Sequence, residues 1–241
     1  MNRFLIAATA VVALGIAAPA YAADLAQPAI HAPAPADAMY NWSGFYVGAN
    51  AGAGSSHSCW TDLILGGLIT LDQGCHDATG AVAGAQIGYR WQSSAWVLGI
   101  EAQGDWGGLQ GSNEQVFSPA FTQRSRVNAL GLFTAQAGYA IDNALFYLKG
   151  GAAVTNNHFD FLSTPSQAVI YDSPDQARWG GTLGAGIEYG FASNWSLGIE
   201  YDHLFMPDEK VTFNAPVLPP EDNITQGIDL VMARLNYRFG G

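Results

Sequence analysis

The chain predicts an all-β protein: an eight-stranded antiparallel up-and-down transmembrane β-barrel with short periplasmic turns and long extracellular loops. Three observations carry this. Eight segments alternate apolar and polar residues with a period of two. The connections between them run long, short, long, short along the chain. And Trp, Tyr and Phe gather at the short-turn ends of those segments rather than in their middles.

The residues before the first strand set the compartment. Asn2-Arg3 is a short positive start, Phe4 to Ala18 is apolar, and Ala20-Tyr21-Ala22 is a small-x-small cleavage site. Residues 1–22 therefore read as a secretory signal peptide, with export through the periplasm after cleavage near Ala22. Residues 23–41, rich in Ala and Pro, read as a periplasmic lead segment, and residues 42–241 as the barrel domain. No later apolar run is long enough for a membrane helix. Charged residues make up only 12% of the chain and acids outnumber bases, with a net charge of −11, which excludes a nucleic-acid partner. A soluble β-sandwich shares this composition, so the pattern along the strands has to decide.

The strands follow in order. "WSGFYVGANAGAG" opens at Trp42, and a polar stretch then runs to about Gly80. "AVAGAQIGYRW", the turn "QSSA" and "WVLGIEAQGDW" make a hairpin. After a second polar stretch come "RVNALGLFTAQAGYA", the turn "IDNA" and "LFYLKGGAAVT". A third polar stretch leads to "WGGTLGAGIEYGF", the turn "ASN" and "WSLGIEYDHLF". A fourth, with Pro216, Pro219 and Pro220, leads to "GIDLVMARLNYRF".

Alternation separates the two faces. One face is apolar and aromatic; the other carries Gly, polar and charged residues. Trp91, Trp96, Tyr139, Phe191, Trp195, Tyr237 and Phe239 lie beside the short turns or the chain end, as an interfacial girdle. Trp106, Tyr201 and Phe205 suit the opposite girdle, and Trp42 falls off the parity of its strand. The polar face then points inward. There the repeated segment Leu-Gly-Ile-Glu places Glu101 and Glu200, with Glu188 a third acid. Lipid cannot solvate these carboxylates, and an eight-stranded barrel has room for little beyond packed side chains. Arg90, Lys149, Arg234 and Arg238 share the face, so an internal ion network is expected, with inward glycines giving room for it.

The segments "WSGFYVGANAG", "GAQIGYRW", "WVLGIEA", "GAGIEYGFASNWSLGIEY" and "ARLNYRF" resemble the small outer-membrane immunogenic proteins of alphaproteobacteria, porin-family proteins with an OmpA-like barrel. The resemblance spans nearly all of the chain after the leader. It implies a structural protein of the cell outer membrane, without catalysis, that contributes to membrane integrity and is exposed as a surface antigen. It also implies outer-membrane lipid as surroundings and the barrel assembly machinery as a partner through the C-terminal strand. Here two glycines, Gly240 and Gly241, follow the aromatic Phe239 at which the family usually stops.

Cys59 and Cys75, an even pair in an oxidising compartment, read as a disulfide worth up to ~3 kcal/mol, with a metal site beside His57 and His76 as the alternative. Some proteins of the resembled family bind haemin. His57 and His76, gathered by the bridge, are thus the candidate axial ligands of a haem. Otherwise no cofactor is expected. A surface haem-binding protein and a narrow ion channel are the alternative functions. No nucleophile–base spacing and no phosphate-binding loop stand out, so no enzyme is expected.

Overall fold

The computed structural model describes residues 40–64, 69–114, 121–166, 168–172, 176–212 and 221–240. The expected signal peptide and the lead segment up to residue 39 lie outside the described residues. The described residues form nine strands: β1 (Gly44–Ile64), β2 (Ile69–Ser93), β3 (Trp96–Glu114), β4 (Phe121–Ile141), β5 (Ala144–Ser163), β6 (Val169–Asp172), β7 (Gln176–Ala192), β8 (Trp195–Thr212) and β9 (Glu221–Phe239). Eight of them close a ring of antiparallel neighbours in which β1 pairs with both β2 and β9. The short β6 pairs with β5 at its upper end, outside that ring. Closure gives each of the eight ring strands a neighbour on both sides, which is the condition for crossing lipid with strands.

Parity along the strands sets the two surfaces. Ile87, Leu98, Ile100, Phe133, Leu148, Ile187, Leu197 and Ile199 point outward and stay exposed on the wall. Such an apolar exterior belongs against acyl chains. The girdle residues stand outward around the short turns. Trp96 meets Tyr139 edge-on with ring centroids 5.4 Å apart, Trp195 meets Tyr237 at 5.0 Å, and Tyr237 meets Phe239 at 5.0 Å. Trp106, Tyr201 and Phe205 also face outward, and Trp179 joins them. The short turns are tight enough to force positive φ at Ser94 (56°) and Asp142 (51°).

Two features differ from the sequence expectation. First, most of what reads as long loops is strand. The ladders rise past the membrane, with β1 running 21 residues and β2 25, whereas about 9–11 cross the apolar band. Water wets the outer face up there and the buried inner face carries polar residues such as Ser56, Ser58 and Gln226, so no apolar alternation marks the strands. Second, a belt of apolar side chains interrupts the polar inward face, which resumes higher up at Ser56, Ser58, His76 and Gln226. In that belt, Val82, Leu109, Leu130, Leu132, Leu204, Leu230 and Met232 belong to a buried apolar cluster inside the lumen. Bulges between Trp106 and Leu109, Val127 and Ala129, and Met206 and Glu209 shift the register there, and on β4 the inward parity passes from Leu130 to Val127.

The lower mouth is closed too. Tyr40, expected in the lead segment, and Trp42 turn into the barrel with ring centroids 4.5 Å apart. Trp42 is 1% exposed, against 62% for Trp96 on the wall. It falls off the outward parity of Phe45 because it shares the inward parity of Tyr46 and Asn50. The Trp42 amide donates to Gln92 Oε1 at 2.7 Å, which fixes the entry.

Candidate functional site: an ion network in the barrel lumen

The inward rungs of the two hairpin systems repeat. In the first half Tyr46 on β1, Gly88 on β2 and Glu101 on β3 are successive register partners. In the second half Tyr147 on β5, Gly186 on β7 and Glu200 on β8 are the same. In each, the glycine makes room for the phenol. A Cβ at Gly88 would lie 2.5 Å from Tyr46 Oη, and one at Gly186 would lie 2.4 Å from Tyr147 Oη. Each phenol reaches across its glycine and donates to its glutamate: Tyr46 Oη to Glu101 Oε2 at 2.6 Å, Tyr147 Oη to Glu200 Oε2 at 2.6 Å. The Leu-Gly-Ile-Glu segment occurs twice because this unit occurs twice.

The two halves then differ where charge is needed. Arg90 stands two residues below Gly88 on β2, toward the short turn, and Glu188 holds the same place below Gly186 on β7. They meet across the lumen, Arg90 Nη2 to Glu188 Oε2 at 2.8 Å. Opposite Gly99 stands Gln136, and opposite Gly198 stands Arg234. Arg234 lies between the repeated acids and donates to one oxygen of Glu101 and one of Glu200. Lys149 completes the cluster, with Nζ 2.7 Å from Glu200, 3.4 Å from Glu101 and 3.3 Å from Asp202. The three cations and the three glutamates are all nearly or fully buried. Desolvating such charges costs several kcal/mol per ion, which only dense pairing and hydrogen bonding offset. Ser196 and Asn236 supply further donors to Glu188 Oε1, and Arg90 stacks over the Tyr46 ring at 4.5 Å.

The structure thus brings together six of the seven residues singled out for the network: Glu101, Glu188, Glu200, Arg90, Lys149 and Arg234. Arg238 is a correction. It sits lower, donates to the backbone carbonyls of Ser43, Ser193 and Gly240, and stacks over Tyr40 at 5.4 Å. It therefore ties the chain ends to the lower mouth instead of neutralising an acid. Asp202, Tyr46 and Tyr147 are members that sequence reasoning missed. Their inward parity was the available signal.

Cys59 and Cys75 are joined by a disulfide on the β1–β2 hairpin. His57 and His76 do not form a pair of axial ligands. In register, His57 opposes Asp77 and Ser58 opposes His76, so the two imidazoles lie on opposite faces of the wall. His57 is exposed, while His76 is buried with its Nε2 3.1 Å from Ser125 Oγ. Burial pushes the His76 imidazole below its ordinary value.

Comparison with known proteins places this barrel. A family model described as "Outer membrane protein beta-barrel domain" matches residues 8–239. The 31 kDa outer-membrane immunogenic proteins of Brucella melitensis biotype 1 and Brucella suis biovar 1 are each 31% identical over 203 residues, 79% of this chain and 82% of theirs. Among solved structures, the outer membrane protein OprG from Pseudomonas aeruginosa superposes with a TM-score of 0.53 at 13% identity, over 84% of this chain and 99% of that one, a likeness of fold alone. The chain belongs to the outer membrane β-barrel domain family, and the cell outer membrane is its location.

Proposed function

We propose that this protein is a structural, non-catalytic barrel that contributes to outer-membrane integrity and presents its external hairpins as surface antigen. One observation carries the reading: the lumen is packed along its length. Tyr40 and Trp42 fill the lower mouth, the ion network fills the middle, and the apolar cluster around Leu132, Leu204 and Leu230 fills the space above. A pore needs a water-filled path, and paired charges that cross the axis leave none. This favours a strut over the narrow-channel alternative. The proposed role calls for no cofactor, and the opposite facing of His57 and His76 removes the geometry on which a shared haem would rest. Antigenicity is suggested by the relatives, which are named immunogenic outer-membrane proteins.

Assembly belongs to the same proposal. β9 ends on outward-facing Phe239 in the lower girdle, which suits it as the strand by which the barrel assembly machinery takes up the chain. Deleting the gene tests the function. Cells without the protein should become more sensitive to detergents and bulky antibiotics, and the wild-type gene should restore resistance. Intact cells should bind antibodies raised against the external hairpins. Unchanged sensitivity together with absent surface labelling would refute the proposal.

A further inference from the structure

Two rungs of the β1–β2 ladder stand together on the outward face of the wall. His57 is in register with Asp77, and Cys59 with Cys75. Residues two apart on one strand, and residues directly opposite on the next, share a face. The four side chains therefore form a square. Cys75 lies sixteen residues up β2 from the girdle residue Trp91. At ~3.3 Å per residue and a tilt of about 40° that is roughly 40 Å, well above an apolar band ~25 Å tall. The square is in water, outside the cell.

Its two sulfurs are not equivalent. His57 Nδ1–H donates to Asp77 Oδ1 at 2.7 Å, which turns Nε2 toward Cys59 Sγ at 3.5 Å. Cys75 is the more exposed cysteine; Cys59 is half-buried. On the other side of β1, Gly227 of β9 stands opposite His57 and puts no side chain beside the imidazole. In thiol–disulfide exchange the sulfur that leaves faster is the one whose thiolate is better stabilised, and a neighbouring imidazolium does that. The attacked sulfur must be the reachable one.

We propose that this square is a directional thiol–disulfide exchange site for aqueous thiols outside the cell, with Cys75 the sulfur attacked and Cys59 the sulfur that leaves. The attacker enters as a thiolate, and its electron pair forms a new S–S bond to Cys75 Sγ. The Cys59–Cys75 bond breaks, and its electron pair goes to Cys59 Sγ. The imidazolium form of His57, held by Asp77, gives its Nε2 proton to that sulfur. The attacker's sulfur is oxidised, Cys59 is reduced, and Cys75 carries the mixed disulfide. A second thiol resolves it and leaves both cysteines reduced. The chemical class of the co-reactant is thus a small or protein-borne thiol, and the site is a modification site at Cys75.

The full chain, refolded in detergent, is treated briefly with the monothiol 2-mercaptoethanesulfonate. Acid stops the reaction and a maleimide blocks the freed thiol. Cleavage before aspartate separates the cysteines, with Cys59 on the piece Asp37–Thr61 and Cys75 on Asp72–His76. The adduct is expected on Cys75 at about tenfold or more over Cys59, the scale set by leaving-group dependence. His57→Asn should slow adduct formation by about tenfold and bring the ratio near parity, with Asp77→Asn in between. A gel-mobility shift on boiling verifies that each variant holds its barrel. An adduct that falls equally on both cysteines or mainly on Cys59 in the wild-type protein overturns the proposal without reference to any variant. So does a rate and ratio untouched by both substitutions.

Discussion

Arg234→Met is the substitution with the largest calculable effect. The guanidinium is fully buried and bonds Glu101, Glu200 and, at 3.3 Å, the Tyr147 hydroxyl. Methionine keeps most of the aliphatic volume, so no large cavity opens. What remains is a charge deficit: Glu101, Glu200 and Asp202 are left to Lys149 alone. Removing one partner of a buried ion pair costs about 3–5 kcal/mol, because the other charge stays desolvated. The tyrosine hydrogen bonds at 2.6 Å survive and hold the cost within that range. A loss of 3 kcal/mol is roughly a 150-fold change in the folding equilibrium. Urea titration of the protein in lipid vesicles, followed by tryptophan fluorescence and by gel mobility, reads it as a lower midpoint at constant slope. The double variant Arg234→Met/Glu200→Gln removes a charge of each sign and should recover about 1–3 kcal/mol of the single variant's loss. A single variant within about 1 kcal/mol of wild type would refute the reasoning, as would a double variant no more stable than the single.

Three further outcomes follow from the same geometry. Ile187→Arg, which places a charge between Phe146 and Ile199 on the lipid face, should cost about 2–4 kcal/mol in a vesicle titration and far less in a detergent that tolerates polar headgroups near the wall. Gly186→Ala brings a Cβ to 2.4 Å from the Tyr147 ring and should displace that phenol from Glu200, a loss of about 1–3 kcal/mol on the same titration. Lipids brominated along their acyl chains should quench Trp96 and Trp195 in single-tryptophan variants and spare Trp42, which is enclosed within the lower mouth; equal quenching of all three would place Trp42 on the wall.

Much of the wall was legible in the sequence, because lipid outside and packed polar groups inside enforce strict alternation. Ile100 and Glu101 could not share a face. The girdle was legible for the same reason, as aromatic rings concentrate where apolar and polar surroundings meet. Three features escaped. Ladders above the membrane carry polar residues on both faces, so the buried Ser56 and the exposed His57 look like loop although both lie in β1. Bulges near the upper edge shift parity, so Val127 enters the lumen against the alternation that sends Leu130 and Leu132 inward on the same strand. And Tyr46 and Tyr147 were not singled out, although their parity aims them at the repeated glutamates. The repeat itself was visible as Leu-Gly-Ile-Glu. That its two copies are joined by Arg234 required the register of β8 with β9 and the curvature of the closed ring.

The barrel's lumen is filled from Tyr40 at the lower mouth to Leu230 above. Planar-bilayer recording of the refolded full chain tests that most directly. No ionic conductance above the leak of the bare bilayer is expected, in wild type and in Ile187→Arg alike. Steady unitary currents from the wild-type protein, altered by Arg234→Met, would mean that ions pass where the structure places side chains, and would contradict a filled lumen.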